Sequence, residues 1–165
     1  MTVIVVMGVA GSGKTTVGAE LAERLGVAYA EADVFHPGAN IAKMSSGIPL
    51  DDDDRRPWLH AIAAWISEHQ ETGGVVSSSA LKRSYRDVLR SGGDVWFLHL
   101  TGPRDVLAER MRGRSGHFMP VSLLDSQLAD LEPLETDECG HVADILDAPA
   151  EIVDRALSEL AKEQP

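Results

Sequence analysis

The chain has 165 residues, of which 44% are hydrophobic and 25% charged, and its formal net charge is −11. That composition fits one soluble globular domain, residues 1–165, with enough chain for a proper core, and the negative balance argues against an extended nucleic-acid surface. A lone cysteine, Cys139, excludes a disulfide framework and fits a reducing cytoplasm.

Residues 2–7 form an apolar, β-branched run. It is too short for a membrane span and lacks a basic leader, so a buried strand is expected and no membrane partner. Residues 8–15 then read G-V-A-G-S-G-K-T, the phosphate-loop pattern G-x-x-x-x-G-K-[ST]. Val17, Leu21 and Leu25 follow at helical spacing, so the motif has its strand before it and its helix after it. Gly8, Ala10, Gly11, Ser12, Gly13 and Thr16 are expected to surround the phosphates of ATP, with backbone N–H groups and the helix N-terminus turned toward the anion. Lys14 is expected to reach the β- and γ-phosphates, and the Thr15 hydroxyl to ligate Mg²⁺.

Gly26 is a helix stop, and residues 27–33 read as a second strand ending in acids. Ligands of open α/β sheets bind at the carboxyl ends of strands, so Asp33 is expected at the chemistry, or else as a cap of the next turn. Residues 36–44 begin as a turn and become a short helix. The run Asp51 to Asp54 suits a helix start, and from Pro57 to about Glu71 the residues Trp58, Ile62, Trp65 and Ile66 make one apolar stripe. Arg55, just before that stripe, either meets an anion in the cleft or pairs with the acidic run.

Residues 75–78 read as the third strand. It ends in serines rather than in the Mg²⁺-binding Asp common in phosphate-loop enzymes. The next helix is expected to open near Ser79. Lys82 and Arg86 lie one turn apart on it, either toward an anionic ligand or on a solvated face. Residues 94–100 read as a fourth, buried strand, and a helix follows Pro103 to about Met111. Arg110, Arg112 and Arg114 at its end, followed by Gly116, suggest a mobile lid over about 112–124. Residues 142–147 read as a fifth strand and 149–161 as the closing helix. Strands alternating with helices imply an α/β fold with a parallel sheet, right-handed crossovers and helices on both faces.

Several segments together resemble the small gluconokinases of the phosphate-loop class, relatives of shikimate and nucleoside monophosphate kinases. They include G-V-A-G-S-G-K-T, H-P-G-A-N-I-A-K-M, D-D-D-R-R-P-W-L, S-A-L-K-R-S-Y-R-D and R-S-G-H-F-M-P. The resemblance implies a P-loop NTPase-type five-stranded sheet in the order 2-3-1-4-5. It implies transfer of the ATP γ-phosphoryl group to the 6-hydroxyl of D-gluconate, and it suggests a homodimer. It also implies substrate contacts from His36 and His117, and stacking of Arg110 on the adenine.

Gluconate has one carboxylate, a row of hydroxyls and a primary alcohol. Arg55, Lys82 and Arg86 are the candidates for its carboxylate, Asp33 for its reacting hydroxyl, and Arg114 for the transferring charge. Two departures stand out: Glu31-Ala32-Asp33 where the family usually has Asp-Gly-Asp, and Ser78 where Cys is common. The alternatives are another small-molecule kinase, shikimate-kinase-like, or a non-catalytic nucleotide-binding module. A shikimate kinase would carry a glycine triplet where this chain has Ser77-Ser78-Ser79-Ala80.

Overall fold

The computed structural model describes residues 1–113 and 122–163. Its centre is β1 (Val3–Met7), with all five residues buried. A parallel strand covered on both faces needs apolar side chains in both directions, and the run V-I-V-V-M supplies them. Ile4 and Val6 point into one core with Val17, Leu21, Ile152 and Val153. Val3, Val5 and Met7 point into the other with Trp58, Ile62, Ile66 and Leu89. The period-2 alternation of one strand thus feeds two cores.

The remaining elements are α1 (Lys14–Leu25), β2 (Ala28–Glu31), a 3₁₀ turn (Ala32–Phe35), α2 (Gly38–Ser45), α3 (Asp52–Glu68), β3 (Gly74–Ser77) and α4 (Arg83–Arg90). They continue with β4 (Val95–Thr101), α5 (Arg104–Arg112), α6 (Ser122–Asp130), β5 (Gly140–Asp144) and α7 (Pro149–Glu163). The sheet is wholly parallel, in the order β2-β3-β1-β4-β5. This is the expected five-stranded α/β architecture. Helices α1 and α7 cover one face and α3 and α4 the other. The expected lid falls largely on residues 114–121, outside the described residues.

The fifth strand is Gly140–Asp144 rather than 142–147, and three further boundaries differ from the sequence reading, each for a local reason. The second strand stops at Glu31 rather than Asp33, because Ala32 turns into the 3₁₀ segment and its carbonyl accepts Trp58 Nε1–H at 2.7 Å. Helix α3 begins at Asp52, well before Pro57. There Asp51 accepts the Asp54 N–H and Asp54 reaches back to the Asp51 N–H, a capping box. Helix α4 opens after Lys82, not at Ser79. The preceding residues are committed elsewhere: the Ser79 carbonyl accepts the Gly8 N–H, Ala80 has φ 46°, and the Leu81 carbonyl accepts the Glu132 N–H at 2.8 Å.

His99 lies buried on β4, and its Nε2 has no partner among the described residues. Burial, with the Arg86 charge adding to it, pushes the imidazole down to about 4. Between about 6.5 and 4 the unfolded chain therefore binds a proton that the fold refuses, so stability is full above that window and falls with pH inside it. Denaturant titrations at pH 7 and pH 5 should give a loss of about 2 kcal/mol from this group. The His99→Leu variant should lack that component; an equal loss in both proteins would move the proton elsewhere.

Candidate active site

The phosphate loop joins β1 to α1 and closes on a cavity of about 100 Å³ lined in part by Ala10, Gly13, Lys14, Thr15, Glu31 and Asp33. Gly11 has φ 81°, and a Cβ there would lie 2.8 Å from the Leu107 carbonyl, so only glycine fits the curl. Lys14 Nζ donates to the carbonyls of Gly8 and Val9 at 3.0 and 3.1 Å, which holds the ammonium over the loop. The Ala10 N–H donates to Gln127 Oε1 at 2.7 Å, bringing α6 against the loop. One of the serines at the end of β3 holds the loop. The Ser77 hydroxyl donates to the Lys14 carbonyl at 3.0 Å and meets the Tyr29 hydroxyl at 2.7 Å. Tyr29 in turn donates to Glu31 Oε1 at 2.6 Å. Burial, then the Glu31 carboxylate, pushes the Tyr29 phenol above its ordinary range, so it stays a proton donor.

A second pocket, of about 130 Å³, lies beside the first. Asp33, Ser79 and Gln127 line both. Asp33 is exposed there, in the 3₁₀ turn, so its carboxylate stands between this pocket and the phosphate-loop cavity. His36, Arg55 and Trp58 form part of the pocket's other wall. His36 stacks flat on Trp58, with ring centroids 4.3 Å apart and planes at 11°. Buried Asn40 donates to the Asp54 carbonyl at 2.8 Å and lies 3.2 Å from His36 Nδ1. Lys43 Nζ donates to Asp54 Oδ2 at 2.8 Å. Asn40 and Lys43, three apart on α2, are the face by which that helix docks on the start of α3, with His36 just before the helix. Burial lowers the His36 imidazole, with Arg55 acting in the same direction and Asp33 against it.

Arg55 and Lys82 come together as expected, through Tyr85. Arg55 Nη1 donates to the Tyr85 hydroxyl at 2.9 Å, and Tyr85 donates to Asp52. Lys82 Nζ lies 3.3 Å from Asp52. These bonds to Tyr85 and Lys82 hold the Asp52 carboxyl below its usual range. Lys82 and Arg55 line a shallow opening with Asp52 and Asp130, at the rim of the second pocket.

Arg86 does not join them. It is fully buried, and its five N–H donors meet five acceptors: both Glu138 oxygens and the carbonyls of Ala80, Leu81 and Pro133. The expectation that Arg86 faces a ligand is corrected. One helical turn carries Lys82 to the cleft and Arg86 into the interior, where it clasps the segments before and after α4.

On the far side of the loop, Arg110 lines an open groove with Gly13, Thr16, Asp147 and Pro149. Its Nη2 donates to the Ile145 carbonyl at 2.8 Å. Arg114 and His117 lie outside the described residues. Among the described residues no group of three or more His, Cys, Asp or Glu could hold a metal ion. No helix among them is long and apolar enough to cross a membrane.

The AAA domain family matches residues 4–119. The gluconokinase of Gluconobacter oxydans (strain 621H) is 52% identical over 139 residues, covering 82% of this chain and 78% of that protein. The chain belongs to the gluconokinase family. The thermoresistant gluconokinase of Escherichia coli (strain K12) is 40% identical over 163 residues, covering 97% of this chain and 93% of that protein. The crystal structure of a gluconokinase from Sinorhizobium meliloti 1021 superposes with a TM-score of 0.89 at 51% identity, over 98% of this chain and 92% of that one. The family makes this chain an ATP-dependent P-loop kinase. Gln127, Tyr85 and Asn40 had no assigned role in the sequence reading. For Gln127 the only signal was a polar residue set among the leucines of α6, and for Asn40 its spacing from His36 and Lys43.

The buried Arg86–Glu138 pair sets a prediction for this gluconokinase-family fold. Arg86→Met leaves Glu138 charged and buried with only the Arg83 guanidinium, 3.7 Å away, to offset its charge, so urea denaturation should show a loss of about 3–5 kcal/mol. Assayed where it remains folded, that variant should keep the acceptor KM of the parent, whereas a ligand-binding Arg86 would raise it.

Proposed function

We propose that the enzyme phosphorylates D-gluconate on its 6-hydroxyl, giving 6-phospho-D-gluconate. The carrying observation is that Asp33, Ser79 and Gln127 line both the phosphate-loop cavity and the neighbouring pocket. A polyol seated in that pocket brings a terminal hydroxyl to the phosphates. Phosphoryl transfer asks chiefly for alignment and charge neutralisation. In this reading Asp33 orients the 6-hydroxyl and takes its proton late in the transfer. Arg55, with Lys82 at the rim, receives the carboxylate at the other end, where two cations face outward beside Asp52. His36 meets the hydroxyls between.

Lys14 leaves the Gly8 and Val9 carbonyls to follow the β- and γ-phosphates. Gly8, Ala10, Gly11, Ser12, Gly13 and Thr16 frame the phosphate chain, and Arg110 lies against the base. The roles expected of Arg114 at the transferring charge and of His117 at the substrate fall on residues outside the described ones. The donors around the phosphate cavity are hard oxygens, Thr15, Glu31 and Asp33, which suit Mg²⁺ held mainly by phosphates and water. Thr15 would ligate it directly; when bound, the ion neutralises charge on the β- and γ-phosphates. The relatives' names support gluconate as the acceptor, and in this reading the kinase is a cytoplasmic homodimer.

A coupled assay with ATP and Mg²⁺ should give faster turnover of gluconate than of shikimate or a nucleoside monophosphate; the reverse order would overturn the substrate. Asp33→Asn should lower kcat by about 10²-fold, the span of a lost general base, while nucleotide titration is unchanged. An unchanged single-turnover rate would reduce Asp33 to a turn residue.

A further inference from the structure

The stack of His36 on Trp58 leaves one question of chemistry open, namely which ring nitrogen carries the proton. The surroundings answer it. Asn40 is buried, and one of its side-chain groups faces the Asp54 backbone carbonyl at 2.8 Å. A carbonyl only accepts, so the group facing it is the NH₂. The same NH₂ lies 3.2 Å from His36 Nδ1. Its second N–H therefore points at Nδ1, and Nδ1 must accept. The proton of the neutral ring is then on Nε2. Turning the amide over would set its oxygen against the Asp54 oxygen, so the orientation is fixed by α3 and not by His36.

We propose that Asn40 is a positioning residue that fixes His36 as the neutral Nε2–H tautomer, so that the ring presents a hydrogen-bond donor, and no acceptor, to a sugar hydroxyl in the acceptor pocket. The proposal rests on the gluconate reading for the identity of the hydroxyl, and on the hydrogen bonds alone for the tautomer. Several features agree with it. His36 lines the pocket, and no described residue takes its Nε2. Trp58 holds the ring plane from below, and Trp58 is itself tied to the Ala32 carbonyl through Nε1–H. The groups around the ring are Asp33 on its own turn, Arg55 and Trp58 on α3, and Asn40 on α2. Burial and the Arg55 charge both oppose a second proton on the ring, and only Asp33 favours one. A donor at this position discriminates by chemistry. A hydroxyl oxygen accepts from it, whereas an acceptor analogue that lacks that hydroxyl leaves the N–H unpaired in a half-buried site.

The inference separates a positioning role from a structural one. A long-range ¹H–¹⁵N correlation spectrum of the full-length protein at pH 7.5 reads the ring nitrogens directly, with His36 assigned from the spectrum of His36→Gln. The expected result is a bare Nδ1 and a protonated Nε2. A protonated Nδ1, alone or with Nε2, overturns the proposal without touching the gluconate reading. Asn40→Leu removes the N–H that Nδ1 accepts, without adding a charge or setting an oxygen against the Asp54 carbonyl, and should free the ring to take up the Nδ1–H tautomer. Its gluconate KM should rise about tenfold, the equivalent of one lost hydrogen bond at about 1.4 kcal/mol, with kcat within about twofold.

In a His36→Gln background the same change should leave the gluconate KM unmoved, because Asn40 acts only through the imidazole. A KM effect of equal size in both backgrounds overturns the proposal. The expected tautomer in a protein that does not turn over gluconate overturns the substrate, and with it the hydroxyl as the partner of Nε2.

Discussion

The cleft is built around the position of β1 at the centre of a parallel sheet. Because β1 is flanked by β3 and β4, the loop that leaves it emerges between two strand ends, with no room for a bulky curl. Glycine at position 11 lets the loop pass under the Leu107 carbonyl, and Gly18 lets α1 lie close on the sheet. A Cβ at Gly18 would come within 2.7 Å of both Ser77 Oγ and the Tyr29 ring. That approach is what allows the Ser77 hydroxyl to reach the Lys14 carbonyl and lie against the Tyr29 hydroxyl, and Tyr29 to donate to Glu31. The phosphate loop, the last residues of β2 and the last residue of β3 are therefore one rigid corner. Preorganisation of this kind matters because a kinase gains its rate by holding groups where charge develops.

The acceptor side is built differently. It has no strand beneath it, and its order depends on one residue at the start of α3. Asp54 caps its own helix, accepts from Lys43 with its carboxylate, and accepts from Asn40 with its backbone carbonyl. Those bonds bring α2 onto α3 and set His36 on Trp58. The Asp54 bond to Lys43 keeps the carboxyl below its usual range, with the Asp51 backbone N–H adding to it. The acidic run of the sequence thus serves two purposes. Asp51 and Asp54 make the capping box, and Asp52 faces the cations Arg55 and Lys82 through Tyr85 and directly.

The alternation of strands and helices and the phosphate loop were legible in the sequence because each has a local signature, whereas the sheet order followed only from the family resemblance. β1 alternates into two cores, α1 has its apolar spacing, and the loop has its glycines. The acceptor pocket was legible only in part. Arg55 and Asp33 announced themselves as charges at element ends, but Lys82 and Arg86 carry the same charge at the same helical spacing and go to opposite fates. Periodicity cannot tell a cation at the cleft from one in the interior when the deciding partner, Glu138, is fifty-two residues away. Asn40 and Gln127 were hidden for the same reason, since their partners are a backbone carbonyl and a backbone N–H that only the fold brings near.

The central claim is that phosphate and acceptor occupy neighbouring pockets with a shared wall, and that Arg55 lines only the acceptor side. Arg55→Ala tests it most directly. Initial-rate kinetics with each substrate varied in turn should show the gluconate KM raised by about tenfold or more, the scale of one lost charged hydrogen bond, with the ATP KM unchanged. Equal losses toward gluconate and ATP would contradict the account and make Arg55 a prop of the whole cleft.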